Sequence, residues 1–566
     1  MKKVWNLKDI DIKKAEVYQK KFRVSPMLSK LLVARKIEEE DIPCFLRPDL
    51  DKLNDPFLLN DMEKLVDRIL KAKDNNENVV IYGDYDVDGI TSITVIYSFL
   101  KDLGMKVSYY LPDRLEEGYG LNNNAIKMLK ENGADLVVTV DCGISANDIV
   151  EYAKDIGLDI CITDHHECTE NIPKAIAVVN PKRLDSTYPF STLAGVGVAF
   201  KVINALAVKL SMPEESYLKY LDLVCVGTIA DIVPLLGENR IITYNGLRAL
   251  NKTKNEGLKA LIKVAKLEKI DSEAVSFGLA PRINACGRMA DASVAVKLLL
   301  ATNTLEATSL ANVLDEQNKK RQEVEKKILQ EAVCEITEKN MESQNTIVLA
   351  SPTWHPGVIG IVASKLAEKY LKPVVLLSID GIEARGSGRI PQGLSLYTAV
   401  SRCQDLLLNY GGHELAAGLS IKKENIQEFA KAFEAVITEM KTSEFVSIID
   451  VDMELGIKDV TFELANDVAR LAPFGQQNKM PVFRINRVKV TSVCTLKENK
   501  HLKLTVLADG PGGNFAIEAL GFCMGHKRDE ITVGDRIDLV CTLSVNAFMG
   551  NIKMQLIMQD FAKSIN

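Results

Sequence analysis

The sequence predicts an α/β protein that opens on a doubly wound parallel sheet and continues through a long connecting helix and a second α/β lobe to a C-terminal β-barrel. Three observations carry this. Between residues 76 and 180, short apolar runs alternate with amphipathic stretches of about ten residues, the pattern of parallel strands joined by crossover helices. From residue 305 the segment LEATSLANVLDEQNKKRQEVEKKILQEAVCEI holds neither Gly nor Pro and repeats its apolar residues at helical spacing. Beyond residue 447, short β-type runs are separated by Gly-rich turns.

Taken in order, residues 1–75 read as helical and irregular, punctuated by Ser25-Pro26, Pro43, Pro48 and Pro56; they form a packing cap with no chemistry of their own. Strands are expected over 79–82, 106–111, 136–140, 159–163 and 175–179. An apolar helix follows the first, and helices over 122–132 and 147–156 are stopped by Gly133 and Gly157. Helical stretches continue to residue 301, and the charged helix over 303–345 suits a strut between two lobes with a cleft between them. In the second lobe, strands over 346–350 and 374–378 flank a helix over 359–370. The barrel strands are expected over 482–487, 489–493, 502–507, 536–545 and 551–558.

A chain of 566 residues has room for three or four domains of roughly 150 residues, and 47% hydrophobic content is enough for several cores. Net charge is −6, so no global positive field exists and any surface for nucleic acid must be local. The 11 Cys show no C-x-x-C spacing, and the opening MKKVWNLKDIDIKK holds no apolar signal core. The expectation is a reduced, cytoplasmic, monomeric protein with no membrane span.

The chemistry gathers where strands end. The first runs into Asp84, Asp86 and Asp88, three carboxylates at alternate positions before a helix; the third runs into Asp141; the fourth into Asp164, His165 and His166. In an open α/β sheet these carboxyl ends lie along one edge, where ligands bind. One Asp would serve to cap the helix. Three repel one another unless protonated or met by a cation. A further acid, Asp231, ends the apolar run VCVGTIAD, where it is costly to bury unless paired or metal-bound. Asp86, Asp88, Asp141, His165 and Asp231 offer hard oxygens and one imidazole, a set for Mn2+ or Mg2+ rather than a thiolate-rich zinc site. Their number suggests two ions, an arrangement that screens the charge building on a phosphoryl group during in-line displacement.

Other candidates lie further along. Arg282, in APRINACGRM, lies between two apolar segments, where the plain reading is a salt-bridged structural Arg. Ser387 and Arg389 lie amid glycines in ARGSGRI, where exposed N–H groups would cradle a phosphate. His413 falls on the turn of GGHELAAG. Residues 479–503 hold seven Lys or Arg against one Glu, with Phe483 and His501 interleaved; this is either a stripe along a strand's backbone or ordinary solvated strand faces.

DYDVDG, VDCG, TDHH and GTIADIVPL, in this order, resemble the four motifs of the DHH phosphoesterase superfamily. LPDRLEEGYGL, APRINACGRM, RGSGRI, GGHELAAG and LAPFGQQNKMPVF narrow the resemblance to its bacterial single-strand-specific 5′→3′ DNA exonucleases, over residues 20–566. The resemblance implies an N-terminal cap (1–75), a DHH catalytic domain (76–302), the connecting helix (303–345), a DHHA1 substrate-binding domain (346–446) and an OB-fold single-strand-binding domain (447–566). It makes Asp86, Asp88, Asp141, His165 and Asp231 the ligands of two Mn2+ or Mg2+ ions, with Asp88 and Asp141 bridging and Asp84 a partial ligand. His166 would lie against the scissile phosphate, with Arg114, Arg282, Ser387 and Arg389 on the 5′ phosphate and His413 near the cut. Tyr82 stands where several members carry a ligating His. The implied activity is an exodeoxyribonuclease of recombination and repair that releases 5′ mononucleotides from single-stranded DNA, with a helicase and a single-strand-binding protein as further partners. A phosphodiesterase for short oligoribonucleotides or cyclic dinucleotides is the alternative, disfavoured by the C-terminal barrel. A non-catalytic scaffold is disfavoured by the intact acids.

Overall fold

Where the sequence reads as helix and loop, the chain opens on a strand, β1 (Lys3–Leu7), paired in parallel with Ser447–Val451. The computed structural model describes residues 3–564 except 114–116, 119, 392, 442–444, 509–514 and 549–550. Helices Ile12–Phe22 and Pro26–Ala34 bury Tyr18, Leu28, Leu31 and Leu32 in the core of the C-terminal barrel. Helix Met62–Asp74 instead turns Met62, Leu65, Val66 and Ile69 into the core of the first sheet.

That sheet consists of β2 (Val79–Gly83), β3 (Val107–Tyr110), β4 (Leu136–Val140), β5 (Asp159–Thr163) and β6 (Ala177–Val179), all parallel, in the order β3-β2-β4-β5-β6. Alternate residues feed two cores, as the two-residue period of a strand requires. Val79 and Ile81 join the side chains of helices Val87–Asp102 and Gly195–Lys209, whereas Val80 and Tyr82 join those of Asn123–Glu131 and Asn147–Asp155. Helices on both faces explain why β2 and β4 are buried at every position. The strand order reverses between β2 and β4, which opens a crevice at their carboxyl ends.

The connecting helix is Thr304–Glu338, 35 residues long. Its first half packs Ala307, Ala311 and Leu314 into the first core, and its second half packs Ile328, Ala332 and Ile336 into the next lobe. One continuous helix thus shares a core with each lobe.

The second sheet holds β7 (Ile347–Ser351), β8 (Val374–Asp380), β9 (Glu383–Arg389), β10 (Leu407–Gly412) and β11 (Ala416–Lys422), in the order β10-β11-β9-β8-β7. The ARGSGRI segment, expected as a glycine-rich cradle, is β9, and Gly388 is paired with Val375 of β8 on one side and Ala417 of β11 on the other. Its backbone groups are committed to two ladders, so only its side chains reach a ligand. The glycines serve packing: a Cβ at Gly386 would lie 2.7 Å from Leu377 Cδ2.

After β12 (Ser447–Val451) and β13 (Met453–Leu455) come β14 (Phe483–Leu496), β15 (His501–Ala508), β16 (Phe515–Gly521), β17 (Arg536–Phe548) and β18 (Asn551–Lys563). The last five close into a barrel, β14-β15-β16-β18-β17 and back to β14, with β16 and β18 parallel. This is the OB arrangement. The runs over 482–487 and 489–493 are one bulged strand, β14, and β16 carries no sequence signal of its own. The basic stripe is broken: Phe483 is fully buried in the barrel core, and Arg484 and Lys503 are ion-paired with Asp538 and Glu518. No helix among the described residues is long and apolar enough to cross a membrane.

Candidate metal centre

Four segments meet at the crevice between β2 and β4. Asp86 caps the helix Val87–Asp102, its Oδ1 accepting the N–H groups of Asp88 at 2.9 Å and Gly89 at 3.1 Å. Asp88, on the first turn, accepts Gly195 N–H on Oδ2 and Val196 N–H on Oδ1, both at 2.7 Å, from the start of helix Gly195–Lys209. Asp141 follows β4 with a left-handed backbone, φ 60°, which Asp tolerates better than most residues. Asp231 is the C-cap of helix Leu221–Ala230. A carboxylate at the negative end of a helix dipole is unfavourable by itself and calls for a cation.

The convergence is tight. His165 Nε2 lies 3.1 Å from Asp141 Oδ1, 3.7 Å from Asp231 Oδ2 and 3.8 Å from Asp88 Oδ2. Three groups each bring their ligand atoms within 4.8 Å of one another: Asp84, Asp86 and Asp141; Asp88, His165 and Asp231; Asp141, His165 and His166. Asp141 and His165 each belong to two of them.

Electrostatics argue in the same direction. Burial, then the Asp86 charge, raises Asp88 to about 7. Burial and then the Asp88 charge raise Asp231 to about 9 and push Asp141 well above the carboxylate range. Burial drops His165 to about 3, so its imidazole is neutral and ready to coordinate. His165 Nε2 and Asp231 Oδ2 are buried with no hydrogen-bond partner among the described residues. These are hard oxygens and one neutral imidazole, short of positive charge, and they fit a divalent ion of the Mn2+ or Mg2+ type.

Asp164 has a part that the sequence did not single out. It is buried and accepts the N–H groups of Ile144, His165 and His166 and the His166 Nδ1 proton at 2.7 Å. Burial opposes its charge, but the His166 hydrogen bond overcomes this and holds it below the usual range. Although burial lowers His166, the Asp164 bond raises it overall. Asp164 thus aims the His pair rather than joining the ligand groups. Asn284 braces the acidic turn by accepting Val87 N–H at 3.2 Å. Tyr82 turns away from the centre and donates to the Gly120 carbonyl at 2.9 Å.

The remaining candidates are spread more widely. Arg114 lies outside the described residues. Arg282 donates to Asp315 Oδ1 at 2.9 Å and to the Gly278 carbonyl at 2.6 Å, the salt-bridged arrangement. Arg389 donates to Ser387 Oγ at 3.0 Å, and both face the helix Pro356–Tyr370, where a Cβ at Gly360 would lie 2.9 Å from Ser387 Oγ. The two lobes touch where Arg288 donates to the Gly357 carbonyl at 3.2 Å; within the first lobe, the neighbouring Gly287 approaches Tyr85 of the acidic turn. His413 is exposed between β10 and β11.

A parallel sheet with acids and imidazoles at its switch point, joined to a second lobe, is the arrangement expected of the DHH family. Residues 78–228 match the DHH family N-terminal domain, 343–439 the DHHA1 domain and 451–560 the RecJ OB domain. The single-stranded-DNA-specific exonuclease RecJ of Bacillus subtilis (strain 168) is 39% identical over 568 residues, 99% of this chain and 71% of that protein. The RecJ of Salmonella typhimurium is 34% identical over 528 residues, 89% and 90% of the two chains. The crystal structure of RecJ from Thermus thermophilus with Mn2+ matches with a TM-score of 0.86 at 27% identity, over 100% of this chain and 80% of that one. The same protein with Mg2+ matches at 0.80 and 26%, over 100% and 79%. The chain belongs to the RecJ family.

Without metal, the folded chain is expected to lose stability as pH rises. Asp88 and Asp231 hold protons that the unfolded chain releases near pH ~4. Their stabilising contribution is complete below that pH and is lost as pH climbs through about 7 and about 9. Excess Mn2+ favours the ionised forms, so its stabilisation grows over the same window. Thermal melts in chelator and in Mn2+ across the window check this; a metal-induced rise that shrinks with pH contradicts the assignment.

Proposed function

We propose that this chain is a divalent-metal-dependent exonuclease that degrades single-stranded DNA from the 5′ end, releases 5′ mononucleotides and serves recombination and repair. The observation that carries the reading is the convergence of Asp84, Asp86, Asp88, Asp141, His165 and Asp231, from four segments, at the switch point of the first sheet. The names of the RecJ relatives and the barrel support the substrate class.

In this reading Asp86, Asp88, Asp141, His165 and Asp231 would hold two Mn2+ or Mg2+ ions. Such ions supply Lewis-acid charge that activates water and stabilises the phosphoryl group in flight. The protein's own groups position and neutralise. The N–H groups of Gly195 and Val196 fix both oxygens of Asp88. His166, whose cationic form the Asp164 bond favours against burial, lies at the half-exposed mouth, where it would offset charge on the scissile phosphate. Ser387 and Arg389 take the 5′ phosphate near the start of helix Pro356–Tyr370, whose dipole favours an anion. The chain's units divide the work as the sequence suggests: residues 76–302 catalyse, 303–345 connect, 346–446 bind the end and 447–566 bind the strand.

Mn2+-dependent nucleotide release tests this, comparing a 5′-phosphorylated single strand with the same strand in duplex and with a dinucleotide. Preferred release from the long single strand is expected, and equal or faster cleavage of the dinucleotide rejects the reading. Arg389→Ala should lower the preference for 5′-phosphate over 5′-hydroxyl ends by about tenfold or more, the weight of a charge-assisted hydrogen bond. An unchanged preference places the end pocket elsewhere.

A further inference from the structure

A cavity of about 1880 Å3 extends from Ile229, Ala230 and Ile232, which flank Asp231, to the barrel edge at residues 542–545. Its charged lining is seven cations against three carboxylates, on a chain whose net charge is −6. One of the three, Glu325, is already bound to Arg321 and Lys365. The cleft is therefore a local basic surface on an acidic protein.

On one wall, residues Ala274–Leu279 form a π-helical turn. Such a turn inserts a residue into the helix and is often found at functional positions. Arg282 pins this one through the Gly278 carbonyl, and Asp315 fixes Arg282 in turn. The turn presents Phe277, 78% exposed, to the cleft. Arg248, Lys252 and Lys269 line the same cleft, all exposed, and none has an ion-pair partner among the described residues. Lys479 also lines it, from the loop that leads into the barrel. A rigidly mounted, water-facing aromatic ring set among unneutralised cations has no role in the core.

We propose that this wall is the tract that holds the strand beyond the cut. An unpaired base stacks on Phe277, and neighbouring phosphates lie against Arg248, Lys252 and Lys269, with Lys479 alongside. The inference rests on the exonuclease reading above and deepens it. The strand's path runs along the first lobe's helices before it reaches the barrel, where two cations of the basic stripe are neutralised by Asp538 and Glu518. A duplex keeps its base faces stacked inside and offers Phe277 nothing to hold, so the tract favours single strands.

The test is binding of a fluorescent oligo-dT to the full chain in chelator, where nothing is cut. Phe277→Ala should weaken binding about tenfold and Phe277→Trp should keep it, with the salt dependence unchanged in both. Replacing Arg248, Lys252 and Lys269 together by Ala should lower the slope of log affinity against log salt by about 2. The exposure of all four side chains leaves the fold intact, which a thermal melt verifies. Wild-type affinity in the Phe277→Ala chain, or an unchanged slope in the triple variant, overturns the tract. A wild-type chain that binds no oligo-dT overturns the exonuclease reading, and the tract with it.

Discussion

Asp141→Asn is expected to abolish hydrolysis while making the metal-free protein harder to melt. The two effects have one origin. Asp141 is buried among Asp88, Asp86, Asp231 and Asp84, whose charges all oppose its ionisation, and His165 Nε2 is 3.1 Å away. That repulsion obliges Asp141 to take up, on folding without metal, a proton that the unfolded chain has released; Asn is neutral in both states and avoids the cost, and it accepts the left-handed backbone at this position as Asp does. The same change removes a donor shared by two ligand groups, so metal binding and transition-state charge stabilisation fail together. Turnover should fall by on the order of 10³-fold or more. The melting midpoint in chelator should rise, and the additional rise given by Mn2+ should largely vanish. Near-normal turnover in Mn2+ contradicts the assigned centre, and a lower midpoint in chelator contradicts the repulsion argument.

Gly195→Ala should also cost a large part of the activity, with the addition of one methyl group. The new Cβ would lie 2.6 Å from Asp141 Oδ1 and 2.8 Å from Asp141 Cβ. Asp141 must move or the helix Gly195–Lys209 must withdraw. Withdrawal costs Asp88 the two N–H donors that fix it. A displacement of this size at a reacting centre costs about 100-fold in rate. The fold should survive, because the helix is held along its length by Val198, Phe200, Val202 and Ile203 in the core. Single-turnover rates with a Mn2+ titration check the result; activity within tenfold of wild type means that the close approach does not matter.

The sequence disclosed most of this site because its chemistry is periodic. Asp84, Asp86 and Asp88 announce themselves by alternation after a strand, and Asp141 and His165 by falling at the ends of strands of the same sheet. What it hid was contact between distant segments. Nothing local marks Gly195 as the neighbour of Asp141, or Asn284 as the brace of Val87. Asp164 carries no role of its own in sequence and becomes an aiming residue only when Ile144, His165 and His166 are seen to donate to it. ARGSGRI misled because glycines that open a loop and glycines that pack a central strand look the same until Leu377 is found against Gly386. β1 was invisible for a related reason: five residues of mixed polarity become a strand only beside Ser447–Val451.

That pairing has a consequence for biosynthesis. Asn6 meets Asp450, 444 residues downstream. At translation rates of roughly 5–20 residues per second the ribosome needs about 20–90 s to deliver the mate. Through that interval the nascent edge carries Val4 and Leu7 with no neighbour, and the lysines beside them, Lys3 and Lys8, are the kind of charge that discourages edge-to-edge association. A segment made 444 residues before its partner is thus among the last to find its place.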